Sequence, residues 1–284
     1  MLDCGEATQL QLMKVQGRPH RLDAILISHL HPDHYLGLMG LLSTLTLRGR
    51  TRALSISGPE GLEDIIETQR RASRMEFPFV LRYHILEPGA PRLAWENHRM
   101  RITTFDLEHR IPCFGFKVEE KVDPHPLDKK QLARVTLPVA AMRNLKEGRD
   151  YTDDRGRVYR ATDFLLPPHA PRTYIYATDT RCLPERIPDF EACDLMYHEA
   201  TYLHELAQKA HDTYHTTAVQ AAQLARDAGV ARLLLGHFSA RYTHLQPFLE
   251  EARPIFPETY LAEETLTFTI PRAGELPIPA PSEA

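Results

Sequence analysis

Residues 28–37, "SHLHPDHYLG", place three histidines and an aspartate within six residues, directly after the apolar run "AILI". No other stretch constrains the fold as strongly. Titratable groups packed this densely cannot each be buried alone, because an unpaired polar or charged group in an apolar interior is costly. The stretch is therefore either a hydrogen-bonded polar turn or half of a metal site, placed where a buried strand leaves the core. His29 and His31 fall on one side of an extended segment because strand side chains alternate. Pro32 biases His31 towards that extended geometry. Neutral imidazole nitrogen and carboxylate oxygen are zinc ligands. Asp33 and His34 lie in the following turn and can face a second ion, so one loop can serve two metals at the spacing of two-metal hydrolases.

Two metals need more than these four groups, and the remainder must come from distant strand ends. Several apolar runs read as strands, each ending in a polar group. "DAILIS" runs into His29, "MRITTFDLE" into His109, "RTYIYAT" into Asp179, "CDLMY" into His198 and Glu199, and "ARLLLG" into His237. His109, Asp179 and His237 bring the ligand count to seven, with one carboxylate left to bridge. Between these runs lie helical patterns at 60–74, after a Gly-Pro start signal, and at 216–228, Ala-rich and stopped by Gly229. Strand and helix in alternation predict an α/β layered architecture, in which sites assemble beyond one edge of a sheet.

Bulk properties narrow the function. The 284 residues are 43% hydrophobic and 25% charged, with a formal net charge of -4, so no global basic signal for nucleic acid exists. Residues 117–172 are the exception, with 12 Lys/Arg against 9 Asp/Glu. Within a domain spanning 1–270, charge alone reads them as a solvated loop of mixed charge or as an inserted, partly extended basic excursion. No apolar run reaches the length of a membrane span. The start "MLDCGEATQ" has neither a basic region nor an apolar core, so no signal peptide is expected. The four cysteines (Cys4, Cys113, Cys182 and Cys193) lack CxxC spacing and are expected to be reduced thiols in a cytoplasmic protein. Residues 271–284, Pro- and Ala-rich, are expected to form a disordered tail.

HxHxDH followed by His, Asp and His ligands resembles the metallo-β-lactamase superfamily. Within it, the chain is similar to the ribonuclease Z family of tRNA 3′-processing endonucleases. The supporting text is "LDCGEATQ" at 2–9, "SHLHPDHYLGL" at 28–38, "ATDT" at 177–180, "HEATY" at 198–202, "HTTAVQAAQLA" at 215–225 and "LGHFSARY" at 235–242. The resemblance implies an αβ/βα sandwich with two zinc ions per subunit, other divalent ions being alternatives. His29, His31 and His109 would hold the first ion, Asp33, His34 and His237 the second, and Asp179 would bridge them. It further implies an arm that grips tRNA, which falls on the basic excursion. Lys129, Lys130, Arg134, Arg143, Lys146 and Arg149 are its candidate contacts. A homodimer is also implied.

The implied reaction is attack of a metal-bound hydroxide on the phosphodiester of precursor tRNA, releasing the 3′ trailer and leaving a tRNA 3′-hydroxyl. Asp33 would be both ligand and base. His215 of "HTT", held by Glu199 of "HEAT", would protonate the leaving oxygen. Arg241 of "SARY" would contact phosphate or brace the His237 loop. Family sequences usually carry two strands and a Gly/Ser-rich loop before "LDCGE", so the first hairpin of the sheet is expected to be missing here. Ala7 and Pro32 stand where the family commonly has Gly, and "LPVAAM" replaces a Gly-Pro pair in the arm. The competing readings are another two-zinc phosphodiesterase, against which the HEAT motif and basic arm speak, and an inactive tRNA-binding fragment, against which the seven intact ligands speak.

Overall fold

Ala24, Ile25, Leu26 and Ile27 are all buried, and alternate side chains enter two different cores. Ile25 and Ile27 pack with Leu54, Ile56 and the leucines at 38, 41, 42 and 45. Ala24 and Leu26 pack with Leu86, Ala94, Ile102, Phe114 and Phe116. A strand buried on both faces must lie between two layers. The computed structural model describes residues 1–89, 91–121, 126–167 and 170–272 and shows this arrangement. The expected tail at 271–284 lies, beyond its first two residues, outside the described residues.

Strand β1 (Ala24–Leu26) pairs in parallel with β2 (Leu54–Pro59), which pairs in parallel with β3 (Leu81–Leu86). The second sheet contains β4 (Leu93–Glu96), β5 (Met100–Leu107) and β6 (Cys113–Glu120). A hairpin of β7 (Tyr151–Thr152) and β8 (Val158–Tyr159) stands apart. The second sheet then continues with β9 (Thr173–Ala177), β10 (Leu195–Glu199), β11 (Leu233–Gly236) and β12 (Thr259–Leu261). Its order is β12-β11-β10-β9-β6-β5-β4, parallel from β9 to β12 and antiparallel from β9 through β6 to β5 and β4. Because β5 and β9 are both antiparallel to β6, β5 runs in the same direction as β9, β10 and β11. Their C-terminal ends therefore share one edge.

Helices cover the outer faces, giving the expected sandwich. Leu38–Leu47 buries four leucines against the first sheet and has no side-chain cap. Burial contributes roughly 1.5–3 kcal/mol per leucine, so packing holds this helix more than propensity does. On the second sheet, Ala218–Asp227 lays Ala218, Ala221, Ala222 and Ala225 against Ile175, Met196, Leu233 and Leu235. No helix among the described residues is long and apolar enough to cross a membrane.

The stretch between β6 and β9 differs in shape from a partly extended excursion. Residues 117–120 belong to β6. Beyond them, Lys129–Leu132, Val139–Lys146, the β7–β8 hairpin and Ala161–Phe164 enclose a small apolar cluster centred on Leu145, Ala161 and Phe164. Leu132, Leu137, Tyr151 and Tyr159 pack around it. The two ends of the unit meet as a bridge between Leu127 and Leu165. These scattered apolar residues escape notice in a stretch dominated by charge, and they are what condenses it.

Candidate metal centre

Strand ends from both sheets deliver the expected residues to one place. His29 follows β1, His109 follows β5, Asp179 follows β9 and His237 follows β11. His31 has extended backbone (φ -73, ψ 145) and caps the helical turn Pro32–Tyr35, which carries Asp33 and His34. His31 Nδ1 lies 3.1 Å from His29 Nε2 and 3.1 Å from His109 Nε2. Asp179 Oδ2 is 3.7 Å from His29 Nε2 and 3.8 Å from His109 Nε2. Tetrahedral ligands bonded to zinc at about 2.0–2.1 Å are separated by about 3.3 Å, so this quartet has the dimensions of one coordination shell.

A second group lies on the other side of Asp179. Its Oδ1 is 3.4 Å from His34 Nε2 and 3.1 Å from His237 Nε2. Asp33 Oδ2 is 3.5 Å from His34 Nε2 and 3.6 Å from His237 Nε2. The two oxygens of Asp179 thus face two separate groups. The Asp33 side chain is 65% exposed and marks the open side of the centre.

The surrounding hydrogen bonds decide which ring nitrogen carries each proton. Tyr214 O can only accept, so His109 Nδ1 donates to it at 3.2 Å. His34 Nδ1 donates to Asp3 Oδ2 at 2.7 Å. Ser28 Oγ donates to Asp3 and so accepts from His29 Nδ1 at 3.0 Å. Thr201 Oγ1 donates to Glu199 Oε2 and accepts from His237 Nδ1 at 2.9 Å. In all four rings Nδ1–H is engaged outward and the Nε2 lone pair points inward, the tautomer that metal-ligating histidines take from outer partners. His34 Nε2 is buried with no hydrogen-bond partner.

Inward lone pairs and two carboxylates repel one another unless a cation sits among them. The electrostatics agree. Without a metal, a proton on His34 Nε2 serves as that cation: burial alone would lower the His34 pKa, yet Asp179, Asp3 and Asp33 push it up to about 12. His237 and His34 hold Asp33 well below the usual carboxylate range. Burial and the neighbouring His34 drive His29 down to about 3, the neutral form a ligand needs. The residues present fit divalent ions, which would take the place of the His34 proton.

Glu199 is fully buried and accepts from Thr180 N at 2.8 Å, Thr201 N at 3.1 Å and Thr201 Oγ1 at 2.7 Å. It also accepts from His215 Nδ1 at 2.8 Å. The His215 ring lies 5.4 Å from that of His109 and is stacked 5.5 Å from that of His237. The expected His215–Glu199 pair is therefore brought to the centre, while His198 is buried and its Nδ1 donates to Glu199 O. Arg241 is exposed, stands over Tyr202 at 5.1 Å and donates to Ser239 Oγ at 3.1 Å. Lys129, Lys130, Arg134, Arg143, Lys146 and Arg149 are exposed on the inserted unit, outside the grouped ligand residues.

Sequence reasoning missed Asp3, Ser28, Thr201 and Tyr214 as functional residues. Asp3 accepts from Ser28 N, Ser28 Oγ, His34 and Tyr176 Oη. It is brought there by a close approach of two loops, because a Cβ on Gly37 would meet Gly5 O at 1.8 Å and one on Gly5 would meet Asp33 O at 2.2 Å. The signal in the sequence was the "DCGE" stretch itself, an acid two residues before a glycine, ahead of the histidines.

Residues 1–125 and 103–238 match a family model described as a beta-lactamase superfamily domain. The ribonuclease Z of Bacteroides fragilis is 40% identical over 270 residues, covering 95% of this chain and 89% of that protein. The ribonuclease Z of Cytophaga hutchinsonii is 41% identical over 271 residues, covering 95% and 86%. Among solved structures, the short form of human tRNase Z superposes with a TM-score of 0.66 at 27% identity, covering 95% of this chain and 87% of that one. With a His/Asp cluster of this kind inside such a sandwich, the chain belongs to the beta-lactamase superfamily and, within it, to the ribonuclease Z family.

Proposed function

We propose that this chain is a metal-dependent endoribonuclease that removes the 3′ trailer from precursor tRNA and leaves a tRNA 3′-hydroxyl. The observation that carries the reading is the Asp179 carboxylate facing one ligand group with each oxygen, with the His215–Glu199 pair beside both. His29, His31 and His109 would hold one ion, Asp33, His34 and His237 the other, and Asp179 would serve both. Zinc, two ions per subunit, suits the imidazole-rich donor set. Such ions acidify water and stabilise charge on phosphoryl oxygens.

The chain's own residues supply the rest. Asp33 lies on the open side, where its carboxylate can take the proton of the attacking water. Glu199 holds His215 through Nδ1, so Nε2 is the atom that gives a proton to the leaving 3′-oxygen. The inserted unit, with its exposed basic residues, would hold the tRNA body away from the cut, and Arg241 would brace the His237 loop through Ser239 and Tyr202. A homodimeric, cytoplasmic enzyme completes the reading. The test is cleavage of a 3′-extended precursor tRNA by the zinc-loaded chain, with Asp33→Ala as control. Hydrolysis of a nitrophenyl phosphodiester with no cut in the precursor would favour a small-molecule phosphodiesterase instead.

A further inference from the structure

We propose that Arg181 is a positioning residue that couples the ligand His109 to His215 by clamping Tyr214 between them. The inference rests on the catalytic role proposed for His215. Tyr214 has φ 64, left-handed backbone that side chains other than Gly seldom adopt. That conformation does two things at once. It turns Tyr214 O to accept from His109 Nδ1 at 3.2 Å, and it delivers the next residue, His215, to the centre.

Arg181 is placed to keep that geometry. Its guanidinium lies over the Tyr214 ring with 3.8 Å from Cζ to the ring centre. Its Nε donates to His211 O at 2.8 Å, at the start of the turn into Tyr214. Its Nη1 pairs with Glu108 at 2.5 Å, and its backbone N donates to Glu108 O at 3.1 Å. Glu108 is the residue before His109. Thr180 adds to the same seam, its Oγ1 accepting from Glu108 N at 3.1 Å and its O accepting from Thr216 Oγ1 at 2.7 Å. The turn after Asp179 thus ties the loop of one ligand to the loop of the proton donor. A planar guanidinium can stack on a ring and donate in its own plane at the same time, which a lysine cannot do. An arginine near a cleft can instead bind RNA phosphate. Here the side chain is only 22% exposed, and both Nε and Nη1 are engaged within the protein.

The test compares Arg181→Ala and Arg181→Lys with the wild type in the full chain. Zinc affinity is measured by competition with a chelator, and kcat and KM are measured on precursor tRNA and on a nitrophenyl phosphodiester. Both Arg181 variants are expected to bind one of the two zinc equivalents about tenfold more weakly, as loss of an outer-shell partner does. They are also expected to lose about tenfold in kcat on precursor tRNA, whose leaving oxygen takes the His215 proton, with KM for tRNA unchanged. Three results overturn the proposal. One is full function in Arg181→Lys, which would make charge alone sufficient. The second is a raised KM for tRNA with normal zinc affinity and normal small-substrate kcat, the mark of a phosphate contact. The third is unchanged zinc affinity and kcat in Arg181→Ala. If the wild type binds zinc but cuts no precursor, the tRNA reading fails, and the affinity differences still decide the clamp.

Discussion

Asp3, Tyr214 and His237 all have positive φ without being glycine, at 49, 64 and 58. All three belong to the centre or touch its ligands. Backbone of this kind is disfavoured by steric contact and persists where surrounding structure enforces it, commonly at functional sites. Asp3 shows what the strain accompanies: its carboxylate accepts four hydrogen bonds and fixes the His34 tautomer. In Asp3→Asn an amide N–H would face donors, so affinity for one metal equivalent should fall about 10–100-fold in chelator competition. His215→Ala should behave oppositely, with cleavage slowed about 10²-fold or more and two metals per chain retained. Equal loss of metal would remove the proton-donor role. At this scale the grouping of the histidines and aspartates was legible because histidines at strand ends are chemically conspicuous. Thr201 and Tyr214 were not, because one acts through a hydroxyl and the other through a carbonyl in unusual backbone, and neither residue type announces that.

At the scale of elements, the centre depends on where strands stop and helices start. The apolar runs that lead into His29, His109 and Asp179 each contain a strand, Ala24–Leu26, Met100–Leu107 and Thr173–Ala177, as short apolar runs bounded by polar groups predict. The helix Ala218–Asp227 begins two residues after Thr216, and Thr217 and Gln220 form a reciprocal capping box. Thr217→Ala should cost about 1 kcal/mol, read as a lower denaturant midpoint at unchanged slope. Because His215 lies just ahead of the cap, a parallel fall in kcat with normal zinc content is expected. The pairing of β6 with both β5 and β9, which turns four strand ends to one edge, was not legible, since strand order depends on contacts far apart in the chain.

At the scale of the whole molecule, one sandwich carries the centre and a second small cluster carries the insertion. The insertion joins β6 to β9 and gathers apolar residues of its own around Leu145 and Phe164. Replacing residues 126–166 with a short linker should therefore raise KM for precursor tRNA at least tenfold and leave nitrophenyl phosphodiester turnover within about twofold, as expected when phosphate contacts sit apart from the chemistry. Loss of the small-substrate activity would make the unit a support for the fold. The most direct measurement remains the cut itself: a 3′-extended precursor tRNA incubated with the zinc-loaded chain and with Asp33→Ala. The proposed two-metal mechanism predicts a discrete tRNA product ending in a 3′-hydroxyl, made at least 10²-fold more slowly by the variant. An intact precursor with the fully metallated wild type, or equal rates for both chains, would contradict it.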